Sequence, residues 1–302
     1  MKTRVAVVGG GPAGSATASL LARAGVEVTV LDRARFPRDK ACSEYMSPQS
    51  SRILDDLGIL DRIERAGAAR LGGMRVRAPD GTTFAGRYAD VVGFRGFRDR
   101  GLALRRTVLD SLLLDRAREL GAIVQEGVRV TALRHDNVGR VAGLDVLDND
   151  GRRRVIAASL VVGADGLRSI VSRRLGLVTM RRAQRRLALV THFVGIDGLG
   201  DSGEMHVEHD GYVGLADVGG GVTNVAVVVP TSRARSAAGD PASFIDPCTK
   251  LDRIVAFRQA DRRKPSLWAR ATSARSSGPC RLPRVVQQMK LERAKHSATW
   301  IS

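Results

Sequence analysis

Apolar positions along this chain change period, and the changes mark its elements. Arg4 to Val8 is a short β-branched run, the pattern of a strand buried on both faces of a parallel sheet. Gly9, Gly11 and Gly14 follow at G-x-G-x-x-G spacing, and Ala16, Leu20, Leu21 and Ala24 then recur at helical spacing. Gly25 predicts the helix end, Val26 to Leu31 a second buried strand, and Asp32 sits just past it. Phe36-Pro37-Arg38 marks a loop. Ser47 before Pro48 reads as a helix N-cap with proline in the first turn. Ile53, Leu54 and Leu57 form the apolar face of that helix, and Gly58 ends it. Gly72 to Phe84 predicts two strands around the turn Pro79-Asp80-Gly81, and Val91 to Phe97 another strand.

Leu102 to Leu120 predicts a helix, from the recurrence of Leu109, Leu112, Leu113, Arg116 and Leu120 with Gly121 as its cap. Ile123 to Leu133 supplies one or two short strands, and Val141 to Val146 with Arg153 to Ala157 reads as a hairpin. Leu160 to Gly163 predicts a buried strand running into Ala164-Asp165-Gly166, and Ser169 to Leu175 a short helix ended by Gly176. From Leu187 the period becomes two. Leu187–Ile196, Gly203–Glu208, Gly211–Ala216 and Val222–Pro230, joined by glycine-rich turns, predict an antiparallel sheet. Pro241 to Phe257 reads as one or two helices.

Composition narrows this picture. The 302 residues suffice for one large domain or two smaller ones, and a hydrophobic fraction of 43% is that of a globular protein. No apolar run reaches the ~18 residues of a membrane-spanning helix. Lys2 and Arg4 precede apolar residues as in a secretory signal, but the adjacent glycines and Pro12 break the run such a signal needs. Cys42, Cys248 and Cys280 are odd in number and far apart, which argues for a reducing, cytoplasmic setting. The histidines form no cluster, so no metal is expected.

A net charge of +18 raises nucleic-acid binding as a reading. The basic residues are mostly arginines dispersed through amphipathic segments, with no nucleic-acid-binding motif among them, so arginine-rich composition is the preferred account and no nucleic-acid partner is expected. The cluster Arg181, Arg182, Arg185 and Arg186 reads as a solvated surface.

The opening stretch carries candidate chemistry. Gly9 permits a tight turn out of the strand, Gly11 lets backbone approach a pyrophosphate, and Gly14 lets helix and strand pack closely. Free N–H groups at the helix start face the phosphates, and Pro12 and Ala13 stand there in the GGGPAG run. Asp32 can accept hydrogen bonds from an adenosine ribose. An ordinary βαβ unit with glycines for turns alone is the alternative.

Three spaced motifs then support a resemblance. GGGPAG at Gly9 to Gly14, Arg106 with Asp110 in RTVLD, and GADGLRS at Gly163 to Ser169 resemble the class A flavoprotein monooxygenases, the para-hydroxybenzoate hydroxylase group. Within it, RFPRDKACSEYMSP is similar to the geranylgeranyl reductase and flavin-dependent halogenase branch, with Ser43 where that branch has glycine. The resemblance implies an α/β fold: a Rossmann-like FAD-binding domain of the glutathione reductase (GR2) type with an inserted antiparallel substrate-binding sheet. The FAD-binding domain would span 1–70 and 100–180, the sheet region 71–99 and 185–260, and 261–302 would be a disordered basic tail.

The resemblance also implies roles. Gly9, Gly11 and Gly14 would take the FAD pyrophosphate, and Asp32, with Arg33 beside it, the adenosine ribose. Arg106 would contact the cofactor near its phosphates and ribityl chain; a helix-start surface charge is the alternative. Asp165 with Gly166 would approach the pyrophosphate or ribityl, near where NAD(P)H docks as co-substrate, or would simply form a turn; Arg168 and Ser169 complete that pattern. Lys40 to Glu44 would lie beside the isoalloxazine, with Cys42 tuning the flavin, delivering a proton or filling space. Tyr212 and His206 are pocket candidates, Tyr212 otherwise a core residue.

On the substrate sheet, Gly211-Tyr212-Val213-Gly214-Leu215-Ala216 lacks the Trp and Pro of that branch, so Gly214 would leave room for a bulkier substrate. The third family motif, a Gly-Asp pair after the sheet, does not appear. From Arg262 to Ser302 the chain has ten Lys or Arg against one acid, Glu292, which suggests a truncated or frame-shifted end. The expected activity is FAD-dependent oxidation with NAD(P)H, foremost hydroxylation of a small organic or secondary-metabolite substrate. Reduction of an isoprenoid double bond is the second reading, and an inactive fragment the third.

Overall fold

The structure is a computed structural model that describes residues 4–90, 93, 96–178, 186–194, 196 and 198–231. Most of the Val91–Phe97 strand, the 241–257 helix, the arginines at 181, 182 and 185, Cys248, Cys280 and the 261–302 tail lie outside the described residues.

The first elements are β1 (Arg4–Val8), α1 (Pro12–Arg23) and β2 (Glu27–Asp32), followed by β3 (Tyr45–Met46), α2 (Ser50–Asp56) and α3 (Leu60–Arg65). Next come β4 (Ala69–Leu71), β5 (Gly73–Arg77), β6 (Thr83–Arg87), β7 (Gly101–Ala103) and α4 (Arg106–Glu119). The middle holds β8 (Ile123–Glu126), β9 (Arg129–His135), β10 (Val141–Leu147), β11 (Arg153–Ala157), β12 (Leu160–Gly163) and α5 (Ile170–Arg174). The last described elements are β13 (Arg186–Val194), β14 (Ser202–Glu208), β15 (Gly211–Asp217) and β16 (Val222–Pro230).

A parallel sheet in the order β12-β1-β2-β8 forms the base. Its central strand alternates between two cores. Val5 and Val7 pack with Ala18, Leu114 and Ala117 of α1 and α4. Ala6 and Val8 pack with Val130, Leu144 and Val146 of the antiparallel meander β9–β10–β11. Both faces are therefore apolar, as a parallel strand requires. α1 turns Gly14, Ser15, Ala18 and Ser19 inward, and side chains this small let it lie close to the sheet.

The α/β class agrees with the sequence, and several details correct it. β12 is an edge strand with Leu160 52% exposed, because among the described residues only β1 pairs with it. The leucine run from Leu102 divides: Leu102 pairs with Met46 and Arg70 in a three-stranded sheet, and the helix begins only at Arg106. α2 starts at Ser50; the Ser47 hydroxyl accepts the Ser50 N–H at 3.3 Å one turn earlier. Ile53 is 52% exposed, whereas Leu54 and Leu57 are buried. Ser169 caps α5 by accepting the Ser172 N–H at 2.9 Å.

The second sheet has six strands in the order β13-β16-β15-β14-β5-β6. The four strands expected to be antiparallel, β13, β16, β15 and β14, do pair so, and the sheet becomes mixed only where β14 and β5 pair in parallel, Ser202 with Gly73 through His206 with Arg77. Segments far apart in the chain thus build one surface. Leu71, Ala103, Ala216 and Val218 join it to the small sheet β3-β7-β4.

Leu144 is fully buried between sheet and meander, so Leu144→Ala is expected to cost about 2–5 kcal/mol. Ile53→Ala is expected to stay within about 0.5 kcal/mol. Urea unfolding of both variants checks the pair.

Candidate functional site

The carboxyl ends of β1, β2 and β12 meet at one crevice, where open parallel sheets bind ligands. Two glycines are required there. Gly9 has φ +104°, and a Cβ would lie 2.4 Å from the Ala164 carbonyl oxygen. At Gly14 a Cβ would lie 1.8 Å from the Gly9 carbonyl oxygen. Only glycine lets α1 close over this turn. Gly11 is the N-cap of α1 and makes no side-chain cap, with Pro12 opening the helix and Ala13 behind it. A Cβ on Gly11 would meet only the guanidinium ends of Arg38 at 3.4 Å and Arg106 at 4.0 Å. Backbone donors and two cations thus converge on the space above Gly11, the chemistry of a pyrophosphate cradle.

Those cations are fixed by Asp110, which is fully buried. Arg106 binds it through Nε at 2.6 Å and Nη2 at 2.8 Å, and Arg38 Nη1 lies 3.2 Å away. Burial works against the Arg106 charge, but the Asp110 carboxylate outweighs it and pushes its pKa up. The surface-charge alternative for Arg106 is excluded by a side chain only 12% exposed. Arg38 also lies over the Phe36 ring at 4.8 Å. Sequence reasoning did not single out Arg38, although it stands in the quoted RFPRDK run.

Asp32 is buried and anchors the turn. Its Oδ2 accepts the Gly10 N–H at 2.7 Å, and its Oδ1 accepts the Ala34 N–H at 2.8 Å. A cavity of about 420 Å³ opens beside it, lined by Gly9, Arg33, Lys40, Val130 and Asp165 among others. Asp165 Oδ2 accepts the Ile170 N–H at 2.5 Å, while its Oδ1 is buried with no hydrogen-bond partner among the described residues. An orphaned carboxylate oxygen, a buried ribose-type acceptor and the open face of Gly11 fit a dinucleotide such as FAD. Lys40 lines the same cavity as Asp32 and Arg33. Gly166, at φ +74°, turns the chain into α5.

Cys42 and Glu44 face the substrate sheet. Glu44 is 4% exposed and has φ 60°, rare for a residue with a side chain. Its Oε1 accepts the Arg106 N–H at 2.9 Å. Its Oε2 accepts from His192 Nε2 at 2.6 Å and Asn224 Nδ2 at 3.0 Å. Asn224 also donates to the Cys42 carbonyl at 2.9 Å, and Cys42 Sγ accepts the Glu44 N–H at 3.4 Å. Burial favours a neutral Glu44, but the bonds from His192, the Arg106 amide and Asn224 outweigh it and hold the carboxyl below the usual range. From sequence Glu44 stood only as the end of the Lys40–Glu44 segment, and His192 and Asn224 were not singled out, since no local spacing connects the three.

Tyr212 shares the sheet face of Asn224 but stands four residues along β15 from Ala216, Asn224's partner, about 13 Å away. Burial pushes its phenol up. His206 does not join the site. It pairs with Val213 on the opposite face and lies 3.0 Å from Glu204. Among the described residues there is no metal-ligand cluster and no helix long and apolar enough to cross a membrane.

Comparison with known proteins adds to this geometry. Residues 2–233 match the family described as the FAD binding domain. A menaquinone reductase of Mycolicibacterium smegmatis is 39% identical over 181 residues, 58% of this chain and 41% of its own length. Digeranylgeranylglycerophospholipid reductase 2 of Methanopyrus kandleri is 30% identical over 267 residues, 86% of this chain and 63% of its own. The flavin-dependent halogenase CmlS superposes with a TM-score of 0.74 at 26% identity, covering 83% of this chain and 46% of CmlS. The chain thus spans about two fifths of the length of the menaquinone reductase.

Because the folded pKa of Glu44 is depressed, its contribution to stability is present above the unfolded value of about 4.3 and is lost as pH falls through the folded value. Urea midpoints taken from neutral pH downward are expected to drop in this acid window. Glu44→Gln should start lower and show a flatter dependence there.

Proposed function

The chain belongs to the FAD binding domain family, and on that premise we propose that it serves FAD-dependent oxidoreduction of an elongated apolar substrate, foremost reduction of an isoprenoid-type double bond. FAD when bound supplies two-electron hydride chemistry. Gly9, Gly11 and Gly14, with Arg38 and Arg106, hold the pyrophosphate; Asp32 and Arg33 hold the adenosine end; Asp165 accepts a hydrogen bond from the cofactor. The cofactor calls for an outside reductant, and NADH or NADPH fills that role.

One observation carries the substrate class. Val190, Ala226, Gly214, Met205, Val76 and Phe84 lie in register across all six strands, from β13 to β6. Every member is apolar, the first five are partly exposed, and Phe84 is 62% exposed. At ~4.8 Å per strand this row runs about 24 Å, the length of an extended hydrocarbon chain. Gly214 sits in its middle with only backbone oxygens, at 3.9 and 4.0 Å, near a would-be Cβ, so the row is a groove there. His192 and Asn224 occupy the next row of the same face, toward Glu44. A chain-like apolar substrate laid along this row would have one end beside the Cys42–Glu44 segment. The names of the reductases reported above favour the same class.

Hydroxylation is the second reading, favoured by the likeness to class A monooxygenases in the three motifs. Purified protein titrated with FAD is expected to develop bound flavin bands, and NADH or NADPH to bleach them anaerobically. With a menaquinone or geranylgeranyl lipid, product masses separate the readings: two added hydrogens support reduction, one added oxygen supports hydroxylation. Gly214→Trp should fill the groove, leave the FAD titration unchanged and raise KM for a long lipid by about ten-fold or more, the equivalent of burying roughly two fewer methylenes. An unchanged KM would sink the groove.

A further inference from the structure

We propose that Glu44 is a positioning residue that locks the Cys42 segment, the start of α4 and the substrate sheet into one register, with His192 and Asn224 as the sheet's half of the lock. This rests on the reading that the sheet holds the substrate and the crevice holds FAD.

Three donors from three elements converge on one carboxylate: the Arg106 amide of α4, His192 Nε2 of β13 and Asn224 Nδ2 of β16. The side chain has almost no contact with water, so each missing donor would leave a buried oxygen unpaired. The backbone is bound as well. The Glu44 carbonyl accepts the Leu104 N–H at 3.1 Å, and Asn224 spans from Glu44 Oε2 to the Cys42 carbonyl. Among the described residues Glu44 is the one non-glycine position with positive φ. Such a conformation persists only where its surroundings over-determine it. These bonds do so, and they cross the junction between the crevice and the apolar row. Ala216 carries that junction on the next strand, in register with Asn224 and packed on Leu71 and Ala103.

The titratable side chains facing Glu44 are His192 from β13, Cys42 beside it in the chain and Arg106 from α4, whose guanidinium is committed to Asp110. Ionised Glu44 only accepts, so His192 Nε2 carries the proton they share. Replacing one carboxylate oxygen by an amide sets donor against donor, whereas a glutamine at His192 still offers an N–H in reach.

Hydrogen–deuterium exchange on the FAD-titrated full chain tests the lock without need of a substrate. Glu44→Gln and His192→Leu are expected to speed exchange about ten- to a hundred-fold in residues 40–46 and in β13, the loss of one charged hydrogen bond, while β1, β2 and β12 keep their protection. His192→Gln is expected to restore wild-type exchange. With a turned-over lipid, kcat should fall in His192→Leu and recover in His192→Gln, while FAD affinity stays within about three-fold, less than one hydrogen bond is worth. Uniformly faster exchange across all elements, or no change in 40–46, would overturn the lock. Failure of wild-type protein to bind FAD would instead overturn the functional reading and leave the exchange result to judge the lock.

Discussion

A carboxylate with no contact with water, Asp110, governs the cofactor end of this molecule. An isolated charge cannot be buried at tolerable cost, so its surroundings must supply counter-charge and hydrogen bonds. Arg106 answers with a two-pronged grip from one helical turn earlier, and Arg38 reaches in from the loop after β2. Buried ion pairs add little to net stability. What this one supplies is position: Arg38 Nη2 stands 3.4 Å from where a Gly11 Cβ would lie, and Arg106 Nη2, itself bonded to Asp110, stands 4.0 Å from it. The loop, α1 and α4 are thereby committed to one geometry before any ligand arrives.

Much of this was legible in the sequence where the governing interactions are local. The β1–α1–β2 unit follows from periods of two and 3.6 punctuated by glycine, and the short helix expected over Ser169 to Leu175 is α5, Ile170–Arg174. Gly9 and Gly14 were assigned to turn and close packing, and both positions have no room for a Cβ. The leucine run from Leu102 misled because a strand of three residues has no period of its own, and its neighbour is a helix of similar composition. Ile53 misled because apolar residues at helical spacing need a partner surface to be core.

The cluster around Glu44 was illegible for a different reason. Glu44 and His192 are 148 positions apart, and Glu44 and Asn224 are 180. Nothing in the flanking residues of His192 or Asn224 distinguishes them from other polar positions on half-buried strands. Only Glu44 stood in a motif, and there it drew attention for its neighbourhood rather than its own bonds. The same distance hid the six-stranded row, whose members come from both halves of the chain.

The parallel pairing of β5 with β14 has a consequence for how the molecule comes into being. β5 and β6 are neighbours in the chain, yet the edge of β5 can meet its partner only after α4, the meander and β12 have been made. Closing so long a loop is entropically costly, and pairings of this kind form late. The hairpin therefore spends that interval with a bare edge and with Phe84, Val76 and Met74 uncovered. The arginines that punctuate it, Arg75, Arg77 and Arg87, lie where like-charge repulsion would discourage two such nascent hairpins from pairing with each other.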